Sequence, residues 1–68
     1  MTGNIQANGE MIQTPLPCTL EQFLVARGQL PRSVVVERNG DAVAPSEFAG
    51  VHLADGDRLE IIRIVAGG

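Results

Sequence analysis

The sequence predicts a two-layer α+β domain in which one helix packs on a mixed sheet of four to five strands. Three observations support this class: a single amphipathic helix pattern lies among several β-rich runs, tight-turn dipeptides separate those runs, and 68 residues suffice for one domain. Because only two residues are aromatic, aliphatic side chains must fill the core. We expect a monomer in which residues 1–65 form the domain and residues 66–68 form a flexible tail.

The first two strands are predicted to form a hairpin. Ile5-Gln6-Ala7 alternates apolar and polar residues, as a half-buried strand does. Asn8-Gly9 is a strong signal for a two-residue turn, because both central positions of a type I′ turn need positive φ. The second strand is expected from about Glu10 to Thr14, where Pro15 and Pro17 end it.

A short helix follows the hairpin. Thr19 is predicted to be its N-cap, with Gln22 completing a capping box. Leu20, Phe23 and Leu24 recur at helical spacing and form one apolar face. A glycine then ends the pattern, which predicts a helix of about nine residues.

The second half of the chain reads as strands separated by turns. A strand is expected over Ser33–Arg38, followed by the tight turn Asn39-Gly40-Asp41. Phe48 lies in a short turn that holds it against the core, and Asp55-Gly56-Asp57 is a further turn. Arg58–Val65 is the longest and most apolar strand, so we expect it to be central and parallel to the first strand.

Composition excludes several functional classes. The formal net charge is −3, and the five basic residues, all arginines, are scattered among acids, which disfavours binding to nucleic acid or to an anionic membrane surface. The N-terminal residues are polar, and no apolar run approaches the ~20 residues of a membrane span. Cys18 is the only cysteine, so no internal disulfide is possible and a cytoplasmic location is expected.

The sequence ends in Ala66, Gly67 and Gly68. The two final glycines have no Cβ atoms, so they can enter a narrow channel and adopt backbone angles that other residues cannot. A carboxylate at Gly68 becomes an electrophile only after its oxygen is converted into a leaving group such as an adenylate. Since the chain has neither of the common phosphate-binding glycine motifs, we expect an activating enzyme to supply ATP and metal.

Five segments over nearly the whole chain match one known family: Asn8-Gly9-Glu10, the Thr19–Gly28 helix, Val34–Gly40, Asp55-Gly56-Asp57 and Ile61–Gly68 with its Gly-Gly end. The chain resembles the ubiquitin-like β-grasp sulfur carriers of the ThiS/MoaD superfamily, and most closely the ThiS family of thiamine biosynthesis. The resemblance implies a ubiquitin-like β-grasp fold.

The resemblance also implies a mechanism and partners. A ubiquitin-activating-like adenylyltransferase of the ThiF type would use ATP with Mg to adenylate Gly68. Sulfur from a cysteine desulfurase-type source would then give a thiocarboxylate, from which a thiazole synthase of the ThiG type would take the sulfur. The chain itself would bind no cofactor or metal and would be a co-substrate rather than an enzyme.

The last strand also suggests a docking surface. Period-two alternation places Leu59 and Ile61 towards the core. The opposite face receives the even-numbered residues Arg58, Glu60, Ile62 and Ile64. If no helix covers that face, its two isoleucines form an apolar patch beside the tail. Exposed apolar patches often mark surfaces that bind a partner protein.

Other candidate sites have simpler structural explanations. Cys18 lies just before the helix, where a thiol pKa can fall, but no histidine partner is evident, so a boundary residue is favoured. His52 lacks further metal ligands at suitable spacing. Asp55-Gly56-Asp57 lacks the remaining ligands of a calcium loop, which favours a strand-connecting turn.

Other functions remain open at this level. Among sulfur carriers, the alternatives are the molybdopterin synthase small subunit and carriers for tRNA thiolation or other products. A different class is a ubiquitin-like modifier joined to target amines, although the absence of lysine prevents chains built on its own side chains. The third class is a plain binding module.

Overall fold

The computed structural model describes residues 1–65. Over this range the chain forms five strands and one α-helix, with short 3₁₀ turns at Pro31–Ser33 and Pro45–Glu47. In chain order the elements are β1 (Thr2–Ala7), β2 (Glu10–Pro15), α1 (Leu20–Ala26), β3 (Val34–Arg38), β4 (Asp41–Val43) and β5 (Arg58–Arg63). One helix on a mixed five-stranded sheet confirms the predicted α+β class.

The strands form one sheet in the order β2-β1-β5-β3-β4. β5 is therefore central, as its apolar sequence predicts. It runs parallel to β1, where Gln6 lies beside Arg58, and antiparallel to β3, where Val35 lies opposite Ile62. The last described strand thus joins the two hairpins into a single sheet.

Both hairpins turn through the dipeptides that predicted them. Asn8 and Gly9 have φ of 50° and 80°, and Asn39 and Gly40 have φ of 51° and 88°. Positive φ at both central positions is the type I′ requirement, which asparagine and glycine meet with the least strain.

The predicted capping box begins the helix. Gln22 N–H donates to Thr19 Oγ1 (3.1 Å), and Thr19 N–H donates to Gln22 Oε1 (2.9 Å). The helix has seven residues rather than about nine, and Arg27 is its C-cap. The predicted glycine cap is confirmed: Gly28 has positive φ (74°), and Gln29 N–H donates to Leu24 C=O (2.8 Å), as in a Schellman motif.

The core lies between the helix and one sheet face. The predicted helix face of Leu20, Phe23 and Leu24 is buried, and Phe48 is fully buried beneath its turn. The remaining buried apolar residues come from the strands and the loop before β5: Ile5, Ala7, Val34, Val36, Leu53 and Leu59. All but two of these buried apolar side chains are aliphatic, as the composition requires.

Several strand boundaries differ from those predicted; β3, for example, begins at Val34 rather than at Ser33, which ends the preceding 3₁₀ turn. β2 continues through Pro15, because Leu16 N–H donates to Met1 C=O (2.7 Å) and alternation then directs the proline nitrogen to the open edge of the sheet. β5 ends at Arg63 rather than at Val65, since β3 begins opposite it at Val34.

Within residues 1–65, no helix is long and apolar enough to cross a membrane.

Candidate functional site

The predicted docking face lies on the side of β5 that faces away from the helix. Arg58, Glu60, Ile62 and Ile64 are all exposed. Ile62 is 61% exposed and Ile64 is 52% exposed, whereas Leu59 on the helix side is 1% exposed. The predicted orientation of these residues is therefore confirmed.

Val35 of β3 extends the apolar surface. It lies directly opposite Ile62 in the β3–β5 register and is 46% exposed. Ile64 N–H donates to Ser33 C=O (2.7 Å), which continues the pairing one residue beyond β5. We call Val35, Ile62 and Ile64 the tail-base patch. Sequence analysis missed Val35, although its position between the inward-facing residues 34 and 36 of β3 was the signal that could have found it.

Two carboxylates lie next to the tail-base patch. Glu37 and Glu60 are directly opposite each other in the register, and both are exposed. Like charges directly opposite across strands are destabilising. This outer face therefore combines exposed apolar side chains with a pair of like charges. A partner with apolar side chains would cover the first, and cationic side chains on that partner would neutralise the second.

The Asn8 side chain anchors β5 below the tail. Ile61 N–H donates to Asn8 Oδ1 (2.7 Å), and Asn8 Nδ2 donates to Ile61 C=O (3.0 Å). The amide thus takes the place of a neighbouring strand at a point where β1 has already turned away. Sequence analysis assigned Asn8 only to the turn.

Asp57 anchors the other end of β5. Its carboxylate is nearly buried and accepts bonds from Ala54 N–H (2.8 Å), Arg38 Nε (2.9 Å) and Asn39 Nδ2 (3.1 Å). Burial acts to raise the pKa of Asp57, but these hydrogen bonds and the Arg38 charge outweigh it and lower the pKa below its ordinary value. The strand that leads to the tail is therefore held firmly at its start.

The remaining candidates take structural positions. Cys18 is partly buried against the core, and its carbonyl accepts a bond from Leu53 N–H (2.9 Å). His52 forms an isolated bridge with Thr19. Asp55 Oδ1 accepts a bond from Asn4 N–H (2.7 Å), which ties its turn to β1. Among residues 1–65, no three histidine, cysteine or acidic side chains are grouped so as to hold a metal ion.

The predicted reactive tail, Ala66, Gly67 and Gly68, lies outside the described residues. The described residues therefore include the strand from which the tail continues. That strand is central and anchored at both ends, with an exposed apolar and acidic outer face.

Known proteins resemble the chain in sequence. A thiazole synthase from Paramagnetospirillum magneticum is 41% identical over 61 residues, which are 90% of this chain and 19% of that protein. The chain spans about a fifth of the length of the thiazole synthases that it matches. The sulfur carrier protein ThiS of Bacillus subtilis is 34% identical over 65 residues, covering 94% of this chain and 98% of that protein.

Solved structures resemble it in fold. The crystal structure of the thiamine biosynthesis protein ThiS from Geobacter metallireducens matches with a TM-score of 0.81 and 25% identity, covering 96% of this chain and 99% of that one. A designed protein based on human erythrocytic ubiquitin matches with a TM-score of 0.54 at 22% identity, covering 98% and 95%. The expected ubiquitin-like β-grasp fold is thereby confirmed.

A family model that matches most of the chain identifies the family to which the chain belongs. The ThiS family model matches residues 4–68. This range includes all of the anchored β5 strand, the Asn8 turn and the tail. The chain belongs to the ThiS family.

Proposed function

We propose that this chain is a sulfur carrier of thiamine biosynthesis and acts as a protein co-substrate rather than as an enzyme. The observation that carries the proposal is the end-to-end likeness to a ThiS sulfur carrier, which covers 94% of this chain and 98% of that protein. The match of residues 4–68 to the ThiS family adds support.

The reactive group that we propose is the α-carboxylate of Gly68, preceded by Ala66 and Gly67. A carboxylate oxygen attacks the α-phosphorus of ATP, and pyrophosphate leaves. A persulfide sulfur then attacks the carbonyl carbon and AMP leaves, which gives an acyl disulfide. A thiol reductant cleaves the S–S bond by forming a disulfide with the departing sulfur, and the thiocarboxylate remains on Gly68.

Three partners follow from this chemistry. An adenylyltransferase related to ubiquitin-activating enzymes binds ATP with Mg, and a cysteine desulfurase-type enzyme supplies the persulfide. Thiazole synthase takes the sulfur. The likeness of this chain to part of two thiazole synthases supports that choice of acceptor. Because the sequence of steps needs a thiol reductant and reduced enzyme thiols, we place the carrier in the cytoplasm.

The tail-base patch is the proposed contact with the adenylating enzyme. Ile62 and Ile64 supply exposed apolar surface beside the tail, and Glu60 and Arg58 supply charges on the same face. Burying these two aliphatic side chains against the enzyme would stabilise the complex. The paired carboxylates of Glu37 and Glu60 favour a partner with cationic side chains, which speed association and select orientation.

Intact-protein mass spectrometry tests the proposal. The chain is incubated with ATP–Mg, the adenylating enzyme, the desulfurase, cysteine and a thiol reductant. We expect one oxygen to be replaced by one sulfur, and a chain lacking Gly68 serves as the matched control. Attachment of the chain to other proteins would instead identify a modifier, and an unchanged mass would identify a binding module. Adding thiazole synthase with its substrates should restore the original mass. Restoration only by the large subunit of molybdopterin synthase with its substrate would instead identify the chain as the small subunit of that enzyme.

A further inference from the structure

One side of β5 has backbone groups without a neighbouring strand beyond Ile61. Asn39 N–H donates to Arg58 C=O (2.8 Å), and Ile64 N–H donates to Ser33 C=O (2.7 Å), at the two ends of the β3–β5 ladder. Because hydrogen bonds alternate along an antiparallel pair, the even-numbered residues of β5 direct their backbone groups to β3. The odd-numbered residues direct theirs to the opposite side, which faces β1.

That opposite side is occupied only as far as Ile61. Asn8 N–H donates to Leu59 C=O (2.9 Å), and the Asn8 side chain satisfies both backbone groups of Ile61. Arg63 comes next on the same side, and β1 pairs with β5 no further than Leu59. Among residues 1–65, neither a strand nor a turn bonds the backbone of Arg63.

The space beside Arg63 is open. Arg63 is exposed, and Val65 is 80% exposed. An extended partner segment can therefore approach these two residues from solvent.

The two outer edges of the sheet are built differently. β2 ends in a proline, and β4 has only three residues. Both features make an edge strand a poor template for another chain. The stretch from Arg63 to Val65 is as short as β4 but contains no proline, and unlike the two outer edges it leads directly into the tail.

We propose that the open side of the backbone from Arg63, the last residue of β5, to Val65 pairs, main chain to main chain, with an extended segment of the adenylating enzyme. This inference rests on the proposed function, because an enzyme that receives Gly68 must also surround the residues that lead to it. An extended segment is the partner that satisfies alternating donors and acceptors along one side of a strand. The pairing holds the tail extended and sets how far Gly68 reaches into the enzyme.

The first experiment separates the backbone from the side chain at position 65. Val65→Pro removes an N–H from the open edge while keeping the preceding residue extended. Val65→Ala, the matched control, removes side-chain atoms but keeps the N–H. At limiting carrier concentration, we expect kcat/KM for ATP–pyrophosphate exchange to fall about tenfold for Val65→Pro, the scale of one hydrogen bond, and to fall by clearly less for Val65→Ala. Melting curves should be unchanged for both.

The second experiment observes the edge directly. Hydrogen exchange at the Arg63 amide should be fast in the free chain and slow at least tenfold when the adenylating enzyme binds. The Ile64 amide already donates to Ser33 and provides the internal reference.

The outcomes separate this inference from the proposed function. If the wild-type chain supports exchange but the Arg63 amide stays unprotected in the complex, the edge pairing is overturned and the carrier function stands. A loss of the same size in Val65→Ala and Val65→Pro would assign the effect to the side chain and also overturn the pairing. If the wild-type chain supports no exchange, the proposed function fails and the edge inference fails with it.

Discussion

The two faces of β5 differ in how completely the chain itself uses them. On the helix side Leu59 is 1% exposed within the core, whereas on the outer side Ile62 is 61% exposed beside Glu60. A single strand thus serves the core through one set of alternating residues and offers apolar and charged groups to solvent through the other. Substitutions within the six residues of β5 should therefore change the stability of the fold and the proposed binding of a partner separately.

The largest effect is expected from a variant that lacks the proposed reactive group, the Gly68 carboxylate, and leaves both faces of β5 unchanged. Deleting Gly68 shortens the tail by up to ~3.6 Å. Because a misplacement near 1 Å can cost about 100-fold in rate, we expect ATP–pyrophosphate exchange to be abolished. Circular dichroism and the melting temperature should not change.

A residue added after Gly68 provides the complementary test. It moves the carboxylate beyond the reacting position and should also abolish exchange. Normal exchange by an extended chain, shown by mass spectrometry to be untrimmed, would mean that a free carboxylate at Gly68 is not the reacting group.

Phe23→Ala should break the helix-side face. Phe23 is 2% exposed in the core, and truncation of a buried aromatic costs about 3–5 kcal/mol. For a domain near the lower end of the usual 5–15 kcal/mol range, the variant would be largely destabilised. Chemical denaturation measures the loss, and Val25→Ala, on the exposed side of the same helix, is the control. Equal stability of the two variants would show that the core face is misassigned.

The Asp57 network should make stability depend on pH in the acid range. Since folding lowers the pKa of Asp57, its contribution is complete above the ordinary carboxyl value and is lost as pH falls through the lowered folded pKa. Asp57→Asn should cost about 1–3 kcal/mol at neutral pH, because buried donors lose their acceptor, and should flatten the acid dependence. Asp41→Asn, an exposed carboxylate in β4, is the control. Parallel pH profiles for wild type and Asp57→Asn would contradict this assignment.

Ile62→Glu should weaken the outer face without unfolding the chain. A third carboxylate beside Glu37 and Glu60, together with the lost apolar contact, should weaken binding to the adenylating enzyme about tenfold, or ~1.4 kcal/mol. Ile64→Glu should act in the same direction. Met11→Glu is a close control, since Met11 is 63% exposed on the same sheet face but lies two strands away from β5. If Met11→Glu and Ile62→Glu bind equally well, the tail-base patch is not the contact.

Local signals predicted much of the fold. The two Asn-Gly turns, the Thr19 capping box and the outward orientation of Ile62 depend on residues close together in sequence, and the structure confirms all three. The pairing of Asn8 with Ile61 joins residues 53 apart, and it depends on where β1 ends relative to β5. No local pattern contains that information. The same holds for Arg38 and Asn39, which donate to Asp57 from 19 and 18 residues away, whereas the third donor, Ala54 N–H, is local.

The central place of β5 also affects how the chain folds. The β1–β2 and β3–β4 hairpins form from neighbouring residues, but they belong to one sheet only after β5 has entered between them. Contacts between distant parts of a chain form slowly, because the intervening segment must first be ordered. In a nascent or shortened chain without residues 58–63, the two hairpins therefore share no strand pairing. Since those same residues lead into the tail, the proposed function implies that only a completely folded chain would present Gly68 to an enzyme, and that incomplete chains would be excluded from the reaction without any separate proofreading step.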